Sequence, residues 1–448
     1  MKRLCLLLLF LPFTAYASLD DARAFLSNTY AADRPGASVI IMKDGEIIHQ
    51  EGYGLANVEL SVPITPDSIF RLGSVTKQFT AAAIMLLQQR GELSVSDPIG
   101  KYLPEYPTHG HQITIEHLLN HTSGIMSYTS IPGYMDAGVR PDVTTEELIE
   151  VFKNLPMEFA PGDKWNYNNS GYVLLGAIIE TISGESYEDF IATNIAGPLG
   201  LGSTLYGGPK LIPNRVSGYS LDDEDNIVNA GFISMTQPHA AGSLLSTTGD
   251  LVEWHKALTS GEFIHDTSYQ QMTTPANLND GETFPYGYGL VIGKLRDRRM
   301  ISHGGGIHGF TCYSLWLSRE DLYVAVLTNG ATSGPGPTTV AKMVAAMVID
   351  DPYPEREAVE LDDSDRNGLI GKYESETFPP IEIAVDGGTI IMIIGGEDRE
   401  TVLAESRDIL FMEDSIAYIE IEWEGDTVSA LLFHFEEGVP PDVLSRIN

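Results

Sequence analysis

The segment Arg71-Leu72-Gly73-Ser74-Val75-Thr76-Lys77-Gln78-Phe79 places a serine and a lysine three positions apart, just before a strongly helical stretch. From Phe79 to Arg90 an apolar stripe recurs at helical spacing, and Gly91 follows where a helix is expected to end. Three residues are nearly one helical turn. The hydroxyl of Ser74 and the amino group of Lys77 are therefore expected to project to the same side.

This arrangement suits nucleophilic catalysis. A serine hydroxyl is a weak nucleophile until a neighbouring base takes its proton. A lysine whose pKa is lowered by burial can act as that base, or it can hold a second base in place. The N-terminus of the helix adds free N–H groups that suit a developing oxyanion. An S-x-x-K tetrapeptide occurs about once by chance in a chain of this composition, however, and a capping serine beside a surface lysine is its commoner explanation when it stands alone.

Further sequence blocks favour a catalytic serine over a capping serine, because several of them follow one another in order along the chain. They are Gly91-Glu92-Leu93, Asp97-Pro98, Ile113 to Gly124, Pro161-Gly162, Tyr167-Asn168-Asn169-Ser170-Gly171-Tyr172, Ala241 to Ser246, Ser302-His303-Gly304-Gly305-Gly306 and Gly309-Phe310. Together with the Ser74 segment they resemble the serine β-lactamase and penicillin-binding protein superfamily. The similarity is greatest to the class C β-lactamase-related branch, which also contains esterases and D-amino-acid peptidases. It extends over most of residues 30 to 345.

The resemblance implies roles for Tyr167 and Asn169, which match the Y-x-N motif of the family. Tyr167 would be a tyrosinate that deprotonates Ser74 and later reprotonates the leaving group, with its pKa lowered by the Lys77 ammonium. Asn169 would hold the substrate or Lys77 through its amide. The residues alone also allow a capping turn, with Tyr167 in the core and Asn168 and Asn169 starting a helix.

His303-Gly304-Gly305 matches the third motif of the family, where β-lactamases usually carry Lys-Thr-Gly or Lys-Ser-Gly. A side chain at Gly305 would block a substrate from lying beside the strand. The resemblance also implies an oxyanion hole formed by the backbone N–H groups of Ser74 and Gly306. Because lysine helps to bind the carboxylate of a β-lactam, His303 puts efficient lactam hydrolysis in doubt. A structural histidine at the end of a strand is the alternative.

Competing motifs are weaker, and neither a cofactor nor a metal ion is expected. Gly304-x-Gly306-x-x-Gly309 matches a dinucleotide fingerprint, but the stretch after it is strand-like and offers no helix for a pyrophosphate. No G-x-S-x-G elbow is present in the chain. His117 and His121 are four residues apart, yet Leu118 stands where a zincin carries glutamate, so structural histidines are favoured over zinc. The aromatic residues Trp165, Tyr172, Tyr286 and Tyr288 line a pocket or pack in the core.

Composition excludes several function classes. The 448 residues include 27 Lys and Arg against 62 Asp and Glu, a formal net charge of −35, so nucleic acids and anionic membrane surfaces are not expected partners. A hydrophobic content of 43% is enough for a sizeable core. The two cysteines, Cys5 and Cys312, provide neither a disulfide framework nor a cysteine metal cluster.

The N-terminus has the layout of a secretory signal peptide. Lys2 and Arg3 precede the apolar run Leu4 to Phe13, and Ala15-Tyr16-Ala17 supplies a cleavage site before Ser18. The apolar run is too short to span a bilayer. The sequence therefore predicts a periplasmic or secreted protein without a stable membrane anchor, with residues 1–17 as the signal.

Two folded regions are expected after the signal. In residues 18–349 strands come first, helices follow and strands return, which predicts an α+β fold with an antiparallel sheet flanked by helices. Residues 350–360 are charged, contain two prolines and read as a linker. Residues 361–448 contain short strand candidates separated by hairpin turns, which predicts a small antiparallel β-barrel or sandwich. This region resembles the lipocalin-like extensions of some family members. It could cap the active site, mediate homo-oligomerisation or bind a surface partner.

Three functions stay in view. The first is an exported serine hydrolase that forms an acyl-enzyme on Ser74 and acts on an ester, or on a peptide or amide with a D-residue. The second is the same chemistry applied to β-lactams or to D-alanyl-D-alanine peptides, as in a β-lactamase or a penicillin-binding carboxypeptidase. The third, a non-catalytic binding protein, is disfavoured because all three motif positions carry chemically competent residues.

Overall fold

A computed structural model describes residues 15–330, 334–375, 378–396, 398–435 and 441–447. Most of the predicted signal, including Lys2, Arg3 and the run from Leu4 to Phe13, lies outside the described residues. The first described element is a helix that begins at Ala15, within the predicted cleavage motif.

Helices and strands alternate through the first three quarters of the chain, and strands dominate the last quarter. The helices are α1 Ala15–Thr29, α2 Thr76–Gln89, α3 Ile115–Leu119, α4 Thr145–Phe152, α5 Asn169–Ser183, α6 Tyr187–Ile191, α7 Gly197–Leu199, α8 His239–Gly242, α9 Thr248–Thr259, α10 Asp266–Met272, α11 Pro337–Val348 and α12 Asp363–Leu369. Strands β1–β9 are Ala37–Lys43, Glu46–Tyr53, Leu55–Asn57, Val62–Pro63, Phe70–Arg71, Leu205–Tyr206, Tyr219–Leu221, Ile227–Asn229 and Leu244–Ser246. Strands β10–β15 are Ala276–Asn277, Thr283–Phe284, Val291–Leu295, Arg298–Ile307, Phe310–Leu317 and Leu322–Thr328. Strands β16–β23 are Gly371–Glu374, Ile381–Asp386, Thr389–Ile394, Asp398–Ser406, Ile409–Phe411, Tyr418–Glu424, Thr427–His434 and Asp442–Ile447.

The chain forms two compact units. One unit is built mainly from Tyr30–Ala341. The other combines the chain up to Thr29 with Lys342–Phe435 and Pro441–Asn448. Among the described helices of both units, none has the length and apolar character needed to cross a bilayer.

The larger unit contains a six-stranded antiparallel sheet in the order β12-β13-β14-β15-β1-β2. All seven residues of β15 are buried, which is typical of a central strand covered on both faces. The predicted α+β fold, an antiparallel sheet flanked by helices, is therefore confirmed. In chain order, the first strand of this sheet, β1, pairs with the last, β15, so the intervening helical segments belong to one closed core.

Two buried helices hold the functional segments. Residues Thr76–Leu87 of α2 are all buried, and the ring of Phe79 stacks on Trp254 with 4.1 Å between centroids. Helix α5 is buried from Ser170 to Ile179, and Gly184, which follows its last residue, adopts a left-handed conformation at φ +72°. Because both helices are packed on nearly all sides, the residues at their N-termini are held rigidly.

The smaller unit contains a closed eight-stranded antiparallel barrel, β16 to β23 in sequential order, as the sequence predicts. Alternate residues such as Ile381 and Ile383 point inward, and Tyr373 and Phe433 are the largest side chains in its core. Three strands were missed in the sequence: β16, β19 and β23. They are short or carry many charged residues, so period-two alternation is weak in them. Helix α12 was missed as well.

Candidate active site

The nucleophile segment begins where β5 ends. The N–H of Leu72 donates to the carbonyl of Leu244, and Gly73 then turns the chain at φ +50°. A Cβ at Gly73 would lie 2.9 Å from the nitrogen of Gly306, so only glycine permits this approach. The turn places Ser74 directly beside β13, at the entrance to α2.

Lys77 is fully buried and surrounded by oxygen acceptors. Its Nζ lies 3.1 Å from Oγ of Ser74, 2.8 Å from Oδ1 of Asn169 and 2.9 Å from the carbonyl oxygen of Ala241. Burial penalises the charged ammonium and lowers the pKa of Lys77 well below its usual value. The expectation from spacing, that Ser74 and Lys77 project together, is confirmed by this distance.

Tyr167 lies on the other side of Ser74. Nζ of Lys77 lies 4.8 Å from the centroid of its ring. Burial raises the pKa of Tyr167 well above its usual value, while a smaller effect of the Ser74 side chain acts in the opposite direction. The expected tyrosinate with a lowered pKa is therefore wrong. Burial has the largest effect on this phenol, and it opposes ionisation.

The two asparagines after Tyr167 make different hydrogen bonds. Oδ1 of Asn168 accepts from the N–H of Gly171 and caps α5, as the capping alternative predicted for this residue. Asn169 uses Oδ1 to accept from Lys77, and its Nδ2 donates to Thr129 at 3.0 Å. Of the two roles considered for Asn169, the contact with Lys77 is therefore the one observed.

His121 accepts hydrogen bonds from the backbone on both sides of Tyr167. Its carbonyl accepts from the N–H of Asn166, and its Nδ1 accepts from the N–H of Asn168. The His121 ring packs against the Tyr167 ring at a centroid distance of 4.4 Å. Burial, followed by the charge of Lys77, lowers the pKa of His121 well below its usual value. A neutral ring whose Nδ1 accepts must carry its proton on Nε2.

The zinc alternative for His117 and His121 fails on geometry. Helix α3 ends at Leu119, and His121 follows it at φ +64°, so the two imidazoles do not share a helical face. Nδ1 of His117 accepts from the N–H of Thr114 within a capping box. Across the described ranges, no group of three or more potential metal-ligating side chains comes together.

His303 is buried and neutral. Its Nδ1 lies 2.6 Å from the carbonyl oxygen of Gly304, and its Nε2 lies 2.8 Å from the hydroxyl of Tyr286. Since a carbonyl can only accept, Nδ1 carries the proton and Nε2 accepts from Tyr286. Burial, with a smaller effect of the Lys77 charge, lowers the pKa of His303 to about 4. The lysine charge usual at this position in β-lactamases is thus absent near neutral pH.

Three of the four aromatic residues singled out in the sequence surround His121. Tyr286 and Trp165 contact its ring at centroid distances of 4.6 and 6.0 Å, and Tyr172 lies at 5.3 Å. Tyr172 and Tyr286 are nearly inaccessible to solvent, so the core-packing interpretation holds for both. Tyr288 is also buried, and its hydroxyl donates to Glu116.

Packing leaves no room for a side chain at Gly305. A Cβ at this position would lie 2.0 Å from the carbonyl oxygen of Leu72 and 2.8 Å from Sγ of Cys312. The close approach of β13 to the nucleophile segment therefore requires glycine at position 305. At Gly306, in contrast, no heavy atom lies within 4 Å of an added Cβ.

The edge of β13 near Gly306 is unpaired on one side. Strand β12 pairs with β13 only as far as Ser302, whereas β14 pairs with it to Ile307. The hairpin closes with the pair Ile307 and Phe310, and paired residues alternate between hydrogen-bonded and non-hydrogen-bonded. This alternation directs the N–H of Gly306 away from β14, toward the open edge beside Gly73 and Ser74.

Sequence comparison agrees with this geometry. Residues 22–346 match the family model described as Beta-lactamase. Penicillin-binding protein 4* of Bacillus subtilis is 28% identical over 425 residues, covering 90% of this chain and 93% of that protein. The D-aminopeptidase of Gluconobacter oxydans is 28% identical over 333 residues, covering 72% of this chain and 60% of that enzyme.

A solved structure is similar over nearly the whole chain. The octameric penicillin-binding protein homologue from Pyrococcus abyssi is 28% identical and superposes with a TM-score of 0.65, covering 96% of this chain and 99% of that one. The family match covers well over half of the chain and includes every residue of the site described above. The chain belongs to the β-lactamase family of serine hydrolases.

Proposed function

We propose that the protein is a serine hydrolase that forms an acyl-enzyme on Ser74 and acts on esters or on peptides and amides containing a D-amino acid. The observation that supports this most strongly is the contact of Ser74 with a buried lysine. Nζ of Lys77 lies 3.1 Å from the Ser74 oxygen, and burial lowers its pKa toward the form that can accept a proton. The D-configured substrate class draws on the D-aminopeptidase relative.

The proposed acylation step uses Lys77 as the base. Neutral Lys77 takes the proton of Ser74 while the serine oxygen attacks the carbonyl carbon of the substrate. The resulting oxyanion accepts hydrogen bonds from the backbone N–H groups of Ser74 and Gly306. Asn169 and the carbonyl of Ala241 hold the ammonium that forms. The carbonyl–leaving-group bond breaks as the proton passes to the leaving group.

Tyr167 acts in this scheme as a neutral phenol. It bridges Ser74 and the leaving group, donating its proton to the latter while it receives one from Lys77. The pair of neutral Lys77 and neutral Tyr167 contains the same number of protons as an ammonium and tyrosinate pair. Desolvation favours the neutral pair in the resting site. Water then attacks the acyl carbon and gives a proton to Lys77. That proton passes to the Ser74 oxygen as its bond to the acyl carbon breaks, which releases the carboxylic acid and restores neutral Lys77.

β-Lactam turnover or D-alanyl-D-alanine carboxypeptidase activity is the second candidate. The observation in its favour is the similarity to penicillin-binding protein 4* over nearly the full length of both chains. The neutral His303 argues against efficient lactam hydrolysis, because it provides no charge for the lactam carboxylate.

Turnover of three chromogenic substrates separates these functions: p-nitrophenyl hexanoate, D-alanine p-nitroanilide and a cephalosporin. We expect the first two to be hydrolysed and cephalosporin cleavage to be slow. Ser74→Ala should abolish activity, while Ser260→Ala, an exposed serine at the end of α9, should not. Fast cephalosporin turnover would favour the second candidate. Equal activity in Ser74→Ala would contradict both.

Export and assembly are separate proposals. We propose cleavage after Ala17 and release to the periplasm or medium, which the N-terminal mass of protein from each cell fraction tests. We also propose a homo-oligomer, supported by the octameric homologue and testable by light scattering. Removal of the chain beyond about residue 355 tests the barrel: unchanged activity and unchanged assembly would exclude roles as an active-site cap and as an oligomer interface.

A further inference from the structure

Two arginines lie on one face beside the nucleophile segment. Arg71 ends β5, and Ile69, two residues earlier, forms a parallel bridge with Arg215. The bridge consists of Ile69 N–H to Asn214 O at 2.9 Å and Val216 N–H to Ile69 O at 3.1 Å. Residues two apart on a strand, and residues opposite each other on adjacent strands, point to the same face. The side chains of Arg71 and Arg215 therefore project to one side, with Ile69 between them.

This face meets the tip of the β13–β14 hairpin. The guanidinium carbon of Arg71 lies 5.4 Å from the ring centroid of Phe310, and Ile307 packs in the same apolar cluster as Ile69. Phe310 pairs with Ile307, which directly follows Gly306. The arginines thus lie just beyond the residue whose N–H points to the open edge of β13.

Neither arginine has an acidic partner in the part of the chain that the structure describes. Among the described residues, no carboxylate forms an ion pair with Arg71 or Arg215, although the chain has 62 acidic residues for 27 basic ones. Arg71 is largely buried, and burial followed by the charge of Arg215 lowers its pKa. Holding a partly buried cation next to a like charge is unfavourable, and a bound anion would offset that cost.

The position along β13 indicates which part of a substrate would reach the arginines. His303 lies three residues before Gly306, about 10 Å along the strand, and the Tyr167 ring is 6.4 Å from the His303 ring. In the proposed function Tyr167 protonates the leaving group, so the leaving group lies toward His303. The acyl part then extends past Gly306 toward the hairpin tip.

We propose that Arg71 and Arg215 form an anion subsite that binds a carboxylate on the acyl part of the substrate, several bonds from the scissile carbonyl. The proposal rests on the proposed function and narrows its substrate class to acyl groups that carry a negative charge. Of the two arginines, Arg71 belongs to the nucleophile segment quoted above, and Arg215 lies outside all of the quoted motifs.

Matched esters test the subsite. The p-nitrophenyl monoester of adipic acid and p-nitrophenyl hexanoate have the same chain length and leaving group, but only the first carries a carboxylate. The measured quantity is the ratio of kcat/KM for the two esters after subtraction of spontaneous hydrolysis. We expect Arg215→Gln to lower this ratio about tenfold, as for loss of a charge-assisted hydrogen bond in a partly exposed site. Arg215→Glu should lower it further, and Arg71→Gln should act in the same direction.

Arg90→Gln is the control, because Arg90 is an exposed arginine at the end of α2 that donates to Asn194. It should leave the ratio unchanged. Because Arg215 is exposed, its variants report on the subsite even if Arg71→Gln fails to fold. A ratio that is the same in wild type, both Arg215 variants and Arg90→Gln would overturn the subsite while Ser74-dependent hexanoate turnover still supports the hydrolase. Loss of Ser74-dependent turnover for both esters would instead overturn the proposed function, and the subsite with it.

Discussion

Nδ1 of His121 accepts a 3.1 Å hydrogen bond from the backbone N–H of Asn168, the residue that follows Tyr167. The carbonyl of the same histidine accepts from Asn166, the residue that precedes it. Tyr167 is thus fixed between two anchors that belong to one residue 46 positions away in the chain. Because Tyr167 is held in this way next to Ser74, its phenol needs little reorganisation before the reaction.

His121 is accordingly expected to act as a positioning residue. His121→Leu removes the acceptor for Asn168 and lets Tyr167 shift, so kcat should fall about 10- to 100-fold with a smaller change in KM. His121→Asn supplies an amide oxygen and tolerates the left-handed backbone at φ +64°, so it should recover part of kcat. Steady-state kinetics well below the melting temperature of each variant checks this. Equal kcat values for the Leu and Asn variants would argue that His121 serves only stability.

The pH dependence should report Lys77. Its pKa is lowered by burial, and the neutral amine is the active form, so kcat/KM should rise with pH through that lowered pKa. Tyr167 must keep its proton, and burial raises its pKa, so the fall at high pH should begin only above about pH 10. The arginine in Lys77→Arg stays charged, so kcat/KM should fall about 100-fold or more. The acidic limb of the profile, which is the rise of kcat/KM with pH, should also disappear. If Lys77→Arg keeps the acidic limb of the wild type, that limb must arise from a group other than Lys77.

Two adjacent glycines should respond differently to alanine. Gly305→Ala would force a methyl group against the carbonyl of Leu72, so the free energy of unfolding should fall by about 1–3 kcal/mol or more. Gly306→Ala meets open space and should change stability little. Denaturant unfolding of both variants checks this contrast. Equal destabilisation of the two would show that β13 does not pack against the nucleophile segment through Gly305.

The local parts of the site were predictable from the sequence. Ser74 and Lys77 project together because three residues make nearly one turn of helix, and Asn168 caps α5 as a short-range pattern indicates. The sheet and the barrel follow from strand and turn signals that are also local. Such features depend on neighbours within a few positions, which the sequence displays directly.

The remaining parts depend on distant contacts. The carbonyl of Ala241 that binds Lys77 lies 164 positions from it, and the backbone of Leu72 that excludes a side chain at Gly305 is even more distant in the chain. The pKa direction of Tyr167 was wrong for the same reason: the neighbouring lysine is visible in the family motif, but the degree of burial is set by the whole core. No sequence pattern indicates that a non-glycine residue such as His121 adopts a left-handed backbone conformation.

The most direct test of the account is mass spectrometry of the protein quenched during turnover of p-nitrophenyl hexanoate. We predict a single hexanoyl adduct per chain on the peptide that contains Ser74, accompanied by a burst of one p-nitrophenol per site. The adduct should be absent from Ser74→Ala and should form slowly in Lys77→Arg. Turnover with no covalent adduct, or the same adduct in Ser74→Ala, would contradict the assignment of Ser74 as the nucleophile.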